Sequence, residues 1–313
     1  MTSTTCDIDV GVVYTHERHY MQPLIATLSA SARDLRVRLI LIDNASPDGT
    51  RDWESSFSET TVIRNATRQG YAENLNQVIA HASSKYVLLL NTDMYFDVGE
   101  QCVRKMWEFM ESHPDCGLSG CRLYHPDGSY ANPARRFQTL PIIAARRLGL
   151  GHVLPRTLHR YFYRDHDVRD AFECEWVSGC FMFVRREAIQ QVGQLDLRFA
   201  KYFEDVDLSL RMAATGWRVM FNGATYGYHC EQRASTKLFS RDGWQHIRSY
   251  LRWLGKWGFN PRRHIARGRS RTAATPRLAA IQRFEPGHGS ELVLPVASPH
   301  AISNSDAAMP ALQ

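Results

Sequence analysis

The chain has 313 residues, 44% hydrophobic and 22% charged, enough for a proper core in one large domain or two small ones. No apolar run approaches the roughly 18 residues of a membrane-spanning helix, and the opening MTSTTCDIDV lacks a basic stretch followed by an apolar one, so neither a span nor a secretory signal is expected. The net charge of +6 divides into −3 over residues 1–232 and +9 over residues 233–313, so the C-terminal end is expected to meet an anionic partner or to form a solvated basic tail. The seven cysteines form no CxxC pair and no zinc spacing, and reduced thiols in a cytosolic protein are the simplest reading.

In chain order, DVGVVYT (9–15) reads as a buried strand and residues 21–32 as a helix. VRLILIDN (37–44) is a second strand ending on Asp43, followed by the turn cluster ASPDGT (45–50). TVIRN (61–65) is a short third strand. YAENLNQVIAHAS (71–83) carries Leu75, Val78, Ile79 and Ala82 on a helical period. YVLLL (86–90) is a fully apolar strand that stops on Asn91, Thr92 and Asp93. Alternating strands and helices at this spacing imply βαβ units and a mostly parallel sheet. Asp43 and Asp93 should then share the carboxyl edge of that sheet, where ligands bind in open α/β folds.

The second half is less regular. GLSGCRLYHPDGSYA (117–131) reads as a strand and hairpin turning at Asp127-Gly128, and residues 133–170 as a long loop with helical pieces. Residues 176–193 form a strand and then a helix ending at Gly193; residues 203–217 form a helix closed by Gly216; RVMFN (218–222) is a strand. WQHIRSYLRWLGKWGF (244–259) is a basic, Trp-rich amphipathic helix. The composition divides the chain into a catalytic domain (1–235), an amphipathic helical extension (236–262) and a basic, then Ala/Pro/Ser-rich tail (263–313) too polar to fold.

Four features can carry chemistry. Asp93 can hold a divalent cation that neutralises a diphosphate; the plain alternative is a capping or loop Asp. Asp43 can meet a ribose hydroxyl or nucleobase edge; the alternative is turn chemistry. Glu204 and Asp205 open a helix, where they complement its dipole or supply a general base near a reacting sugar. His229 can complete a metal site with a distant Asp, or be a hydrogen-bonded structural histidine. An ionised Asp205 in a polar cleft would keep near-ordinary acidity.

The strings LIDNASPDGT, RQGYAENLNQVI, LLLNTDM, WVSGCFMFVRREAI and VGQLDLRFAKYFEDVDLSLRMAATGW, with His246, Tyr250 and Trp257 further on, resemble the inverting family 2 glycosyltransferases of the GT-A fold. Within them the chain is most similar to bacterial rhamnosyltransferase-like enzymes, over about residues 10–259. The resemblance implies an α/β fold with a nucleotide-binding half, an acceptor-binding half and a C-terminal helical segment. It implies that Asp43, with Thr15 nearby, contacts the nucleobase end of the donor, and that Gly70 and Asn76 lie over the nucleotide. Asn91 and Asp93 stand where the family has its DxD metal motif, His229 at the downstream metal ligand, and Asp205 at the catalytic base with Glu204 as its partner. The implied cofactor is Mg²⁺ or Mn²⁺, and the implied donor is dTDP-rhamnose or a UDP-sugar. The acceptor would be a glycan or lipid-linked glycan.

Three departures accompany it: Asn91 replaces the first acid of DxD, Arg68 an Asn, and GQLDL (193–197) the family's GGFDE. A cytoplasmic location is expected, with contact at the inner membrane surface if the Arg/aromatic loop 135–164 and the helix 244–257 sit there, Trp244, Trp253 and Trp257 at headgroup level. The alternative is that these aromatics pack on the catalytic domain. A nucleic-acid-binding reading leaves the βαβ half and paired acids without a role. A nucleotidyltransferase reading fails on YTHERHYMQ, which lacks a glycine-rich phosphate loop.

Overall fold

The computed structural model describes residues 6–147, 152–230 and 241–274. They all fall within one compact unit ending at Thr275; the expectation for residues 275–313 lies outside the described residues. Four parallel strands, β1 (Ile8–Tyr14), β2 (Val37–Asp43), β3 (Glu59–Arg64) and β4 (Tyr86–Leu90), form the first half of the sheet. Helix α1 (Arg18–Ser31) crosses from β1 to β2, and α2 (Tyr71–His81) crosses from β3 to β4. Branched and large aliphatic residues suit β1 and β4, because helices cover both faces; the one charged residue of β1, buried Asp9, is paired with Arg38 at 2.8 Å. Gly11 in the middle of β1 meets the requirement directly: a Cβ there would stand 2.2 Å from a Val78 methyl of α2.

After β4 come β5 (Met94–Tyr95), α3 (Cys102–Ser112) and β6 (Cys116–Tyr124), then β7 (Ala134–Arg135), α4 (Leu140–Arg147), α5 (Pro155–Tyr161), β8 (Ala171–Glu173) and β9 (Trp176–Val177). The chain closes with β10 (Phe181–Arg185), α6 (Arg186–Val192), α7 (Glu204–Ala214), β11 (Arg218–His229), α8 (Arg241–Trp257) and α9 (Arg262–Ala274). The strand order among the described residues is β3-β2-β1-β4-β10-β6-β11-β5, with β8 also paired to β11 and a separate β7-β9 ribbon. Because β1 pairs in parallel with both β2 and β4, Asp43 and Asp93 do share one sheet edge. Strand β10 runs antiparallel between β4 and β6, so its beginning lies at that same edge.

Two apolar layers flank the sheet. One joins Val10 and Val12 to Leu24 and Leu28 of α1 and Met106 of α3; the other joins Ile40 and Leu89 to Leu75 and Val78 of α2 and Leu208 and Met212 of α7. A third cluster gathers Phe137, Trp176, Phe203, Leu210, Tyr250 and Trp253 and docks α8 beside α7. Here the sequence expectation is corrected. Trp253 is fully buried, and Trp257 donates its indole N–H to Asp207 at 2.7 Å, so neither reaches a membrane surface; Trp244 is 62% exposed. Helix α9 also falls where the tail was expected to begin. Gly268 permits that docking, since a Cβ would collide with the carbonyl oxygen of Ala214, and Ile265 packs into the third cluster.

Candidate active site

The expected site residues, apart from Asn76 in the middle of α2, sit where regular elements begin or end. Asp43 closes β2 with 8% exposure, and one of its oxygens accepts the Ser46 N–H at 2.9 Å, so the expected turn chemistry and the ligand-edge position coexist. Thr15 is half-buried directly after β1. Gly70 precedes α2, its N–H donated to Glu73 at 2.7 Å, under a loop whose Ala200 carbonyl accepts the Tyr71 N–H at 3.2 Å. Asn76, expected over the nucleotide, uses both ends of its carboxamide on the backbone of Leu195, at 2.8 and 2.9 Å. A bidentate amide–backbone pair satisfies Asn76 within the fold, and the neighbouring Asn74 holds the 65–70 loop instead, bonding Asn65, Gln69 and Gly70.

Asp93 follows β4, and its Oδ1 lies 3.2 Å from Nε2 of His229 at the end of β11. Both side chains are mostly buried, at 15% and 12% exposure. Burial works against a charged imidazole, but the adjoining Cys180 and Asp93 hold the His229 pKa well above its ordinary range. His229 is therefore a proton donor to Asp93, and a cation bound by both would have to displace that proton.

The acid pair sits across the same edge. Tyr202 and Phe203, with φ of 70° and 74°, carry the chain into α7 through two left-handed residues, a costly conformation for bulky side chains. That bend aims the first turn of α7. Asp205 accepts the N–H of Val206 at 2.8 Å and of Gly179 at 2.9 Å. Burial raises its pKa, against the pull of those two N–H groups and Arg135, so it does not keep the near-ordinary acidity expected of a polar cleft. Glu204 is 6% exposed, and its Oε2 has no partner among the described residues. Burial and the adjacent Asp205 push its pKa far up, so Glu204 holds the proton and Asp205 the charge.

Tyr71, which the sequence reading left unassigned, joins the two groups. Its hydroxyl donates to Asn91 Oδ1 at 2.7 Å and lies 3.3 Å from the carbonyl oxygen of Gly179, whose N–H holds Asp205. The backbone N–H of Asn91 in turn donates to the Cys180 carbonyl at 3.0 Å. A tyrosine at a helix start reads as core, so sequence carried no separate signal for it. A cleft of about 180 Å³ opens on the pair and is lined by Asp205, Ser178, His229, His246, Arg135 and Arg146 among others.

A covered, mostly parallel sheet with acids gathered at one edge and a helix-borne carboxylate facing them defines a glycosyltransferase of the GT-A class. Solved structures support that fold. A mannosyltransferase from Pyrobaculum calidifontis, PcManGT in complex with GDP-Man and Mn²⁺, aligns with a TM-score of 0.52 at 16% identity, over 88% of this chain and 77% of that one. S. aureus TarS 1-349 in complex with UDP-GlcNAc aligns at 0.55 and 12% identity, over 86% and 73%. The chain belongs to glycosyl transferase family 2, whose model matches residues 9–193. It is 27% identical over 286 residues, 82% of this chain and 91% of the relative, to the N-acetylglucosaminyl-diphospho-decaprenol L-rhamnosyltransferase of Mycobacterium tuberculosis. It is 24% identical over 256 residues, 78% and 91%, to the rhamnosyltransferase WbbL of Escherichia coli K12. Asp205 and His229 both lie beyond the segment that the family model matches.

Proposed function

We propose that this glycosyltransferase moves L-rhamnose, with inversion, from dTDP-rhamnose to a hydroxyl of a lipid-linked glycan, N-acetylglucosamine on a polyprenyl diphosphate being the first acceptor to try. The observation that carries the reading is that Asp205 and His229 line one cleft, so a base and a metal ligand face the same reacting centre. The names of the mycobacterial and E. coli relatives support rhamnose and the lipid-linked acceptor. A UDP-hexose donor is the second reading, supported by a fold neighbour solved with UDP-GlcNAc.

The residues present fit a divalent cation. A carboxylate oxygen and an imidazole nitrogen 3.2 Å apart match two neighbouring ligands of an octahedral ion, about 3 Å apart for bond lengths of about 2.1 Å. No group of three or more His, Cys, Asp or Glu could hold a metal among the described residues, so the donor's diphosphate oxygens would complete the shell. Asp93 and His229 would hold the ion; bound Mg²⁺ or Mn²⁺ supplies Lewis-acid stabilisation of the leaving diphosphate. Asp205 takes the proton of the acceptor hydroxyl on its carboxylate as that oxygen attacks the anomeric carbon from the face opposite the diphosphate. Asp43 and Thr15 meet the nucleoside end. Neutral Tyr71 keeps Asn91 and the 179–180 backbone in register, and neutral Glu204 leaves the charge of the pair to Asp205.

No helix among the described residues is long and apolar enough to cross a membrane. Contact with the inner membrane face is supported by a different set from that expected: Trp244, Leu251 and Phe259, at 62%, 61% and 77% exposure, beside exposed Arg248, Arg252 and Arg263. The deciding experiment is a donor panel with Mn²⁺ and the lipid-linked acceptor, reading nucleoside diphosphate release and the anomeric configuration of the product. Turnover with a UDP-hexose and none with dTDP-rhamnose would replace the donor assignment; retention at the anomeric carbon would overturn the role of Asp205.

A further inference from the structure

The cleft beside Asp205 holds two guanidinium groups that the chemistry above does not use. Arg135, on β7, has its guanidinium carbon over Trp176, 5.0 Å from the ring centroid, and its Nε donates to the Asn132 carbonyl at 2.8 Å. Arg146, on α4, lies 5.6 and 5.9 Å from the centroids of Tyr161 and Phe162, and its Nη1 donates to the Tyr161 hydroxyl at 3.3 Å. Among the described residues neither has a carboxylate at ion-pair distance. Stacking and a single N–H bond fix each plane while leaving most of its five donors unspent.

Two like charges lining a cleft of about 180 Å³ repel each other unless the occupant brings compensating charge. Within the cleft the protein provides little: Glu204 is held neutral and Asp205 is the one ionised carboxylate on the lining. A ligand carboxylate would add one negative charge, whereas a diphosphate joining sugar to lipid adds two, one on each phosphate, and offers oxygens to two planar forks. The cleft has the volume of about six waters, at about 30 Å³ each, which is room for one sugar ring with its charged substituent at the rim. Arg146 is exposed and Arg135 half-buried, as a rim-to-wall pair requires.

We propose that Arg135 and Arg146 clamp the diphosphate of the acceptor, seating its first sugar with the reacting hydroxyl against Asp205. The inference rests on the function proposed above, where the donor's own diphosphate belongs to Asp93 and His229. It makes the arginine pair the specificity determinant for a phosphorylated acceptor: the enzyme reads the anion that joins sugar to lipid, and a neutral glycan lacks the handle.

The test uses the full chain and calorimetric titration with three ligands carrying the same sugar, N-acetylglucosamine: linked through a diphosphate to a short prenyl chain, as a neutral octyl glycoside, and as a glycoside ending in a carboxylate. Wild type is expected to bind the first at least tenfold more tightly than the other two. Arg146→Gln and Arg135→Gln should each weaken that binding by about 10–100-fold, the effect of a charge-assisted hydrogen bond, and move the neutral ligand less than twofold. Arg146→Lys should recover part of the loss. Equal binding of all three ligands by wild type, tighter binding of the carboxylate, or equal loss for charged and neutral ligands would overturn the clamp. Because Arg146 is exposed, its variants decide the question even if Arg135→Gln misfolds. Transfer is read in parallel: absence of turnover from every donor would strike the proposed function, while the binding arms still decide the arginines.

Discussion

Glu204 and Asp205 are neighbours in the chain with opposite surroundings: Asp205 accepts two backbone N–H groups, and the Oε2 of Glu204 meets none. Two carboxyl groups so placed take different protonation states, and the difference favours Asp205 as the proposed base. Asp205→Asn, which keeps the shape and loses the charge, should lower kcat by about 10²–10⁴-fold and leave donor affinity near wild type. Steady-state kinetics beside donor titration check this. Since burial raises the Asp205 pKa, activity should fall as pH drops through a value higher than that of an exposed Asp.

Glu204 makes a stability prediction with a definite sign. Its folded pKa lies above its unfolded one, so its contribution is fully present below about pH 4.3, the unfolded value, and is lost as pH rises through the folded value. Glu204→Gln removes that dependence. In urea unfolding from pH 5 to pH 9, wild type should lose stability relative to the variant as pH rises, and parallel curves would contradict a buried, protonated Glu204.

Removal of divalent cations should abolish transfer. Full turnover in excess EDTA, or an active Asp93→Ala protein, would sink the metal assignment. Folding is expected to survive Asp93→Ala, because the backbone bond from the Cys230 N–H to the Asp93 carbonyl remains.

Asp207, two residues beyond Asp205 on α7, faces away from the cleft. Fully buried, it meets Arg211 at 2.8 Å, Lys256 at 2.6 Å and the Trp257 indole at 2.7 Å, tying α8 to α7. Asp207→Asn leaves two cations facing an uncharged amide and should cost about 3–5 kcal/mol, read as a shifted urea midpoint at constant slope.

The basic segment after Pro261 tests the revised boundary. A chain ending at Asn260 loses Ile265 from the third cluster, the His264 ring 5.0 Å from that of Trp257, and the bond from Arg262 to Glu175. A stability loss of about 2–4 kcal/mol is expected. An unchanged melting temperature would restore the expectation of a tail from residue 263 that takes no part in the fold.

The βαβ half was legible because its strands are continuous apolar runs and its helices keep a 3.6-residue period, both local signals. The edge carrying Asp43 and Asp93 followed from strand direction alone. The neighbours of β10 were not legible, since nothing local in FMFVR says that it pairs with Leu88 on one side and Ser119 on the other. Helix α9 was missed because its Arg-rich face offers almost no apolar stripe; its docking depends on one glycine and one isoleucine. Trp244 and Trp253 stand nine residues apart, about half a turn around α8, so its period already set the exposed Trp244 on the face opposite the buried Trp253; which face docks was decided by packing. Tyr71 escaped because its partners lie 20 and 108 residues away, and Arg135 and Arg146 because they fall in a stretch read as a long loop, with Trp176, beside Arg135, 41 residues further on.

The reversed strand also dictates an order of assembly. Strand β6 leaves the ribosome before β10, yet β10 must lie between β4 and β6. The early strands can pair among themselves, but the slot beside Leu90 stays open until residues 178–185 double back into it, and those same residues deliver the Gly179 N–H that holds Asp205. Long-range closure of this kind is slow and comes late. The edge that carries the proposed base is thus built on the strand that enters the middle of the sheet late, and Asp205 gains its Gly179 bond only once β10 is seated.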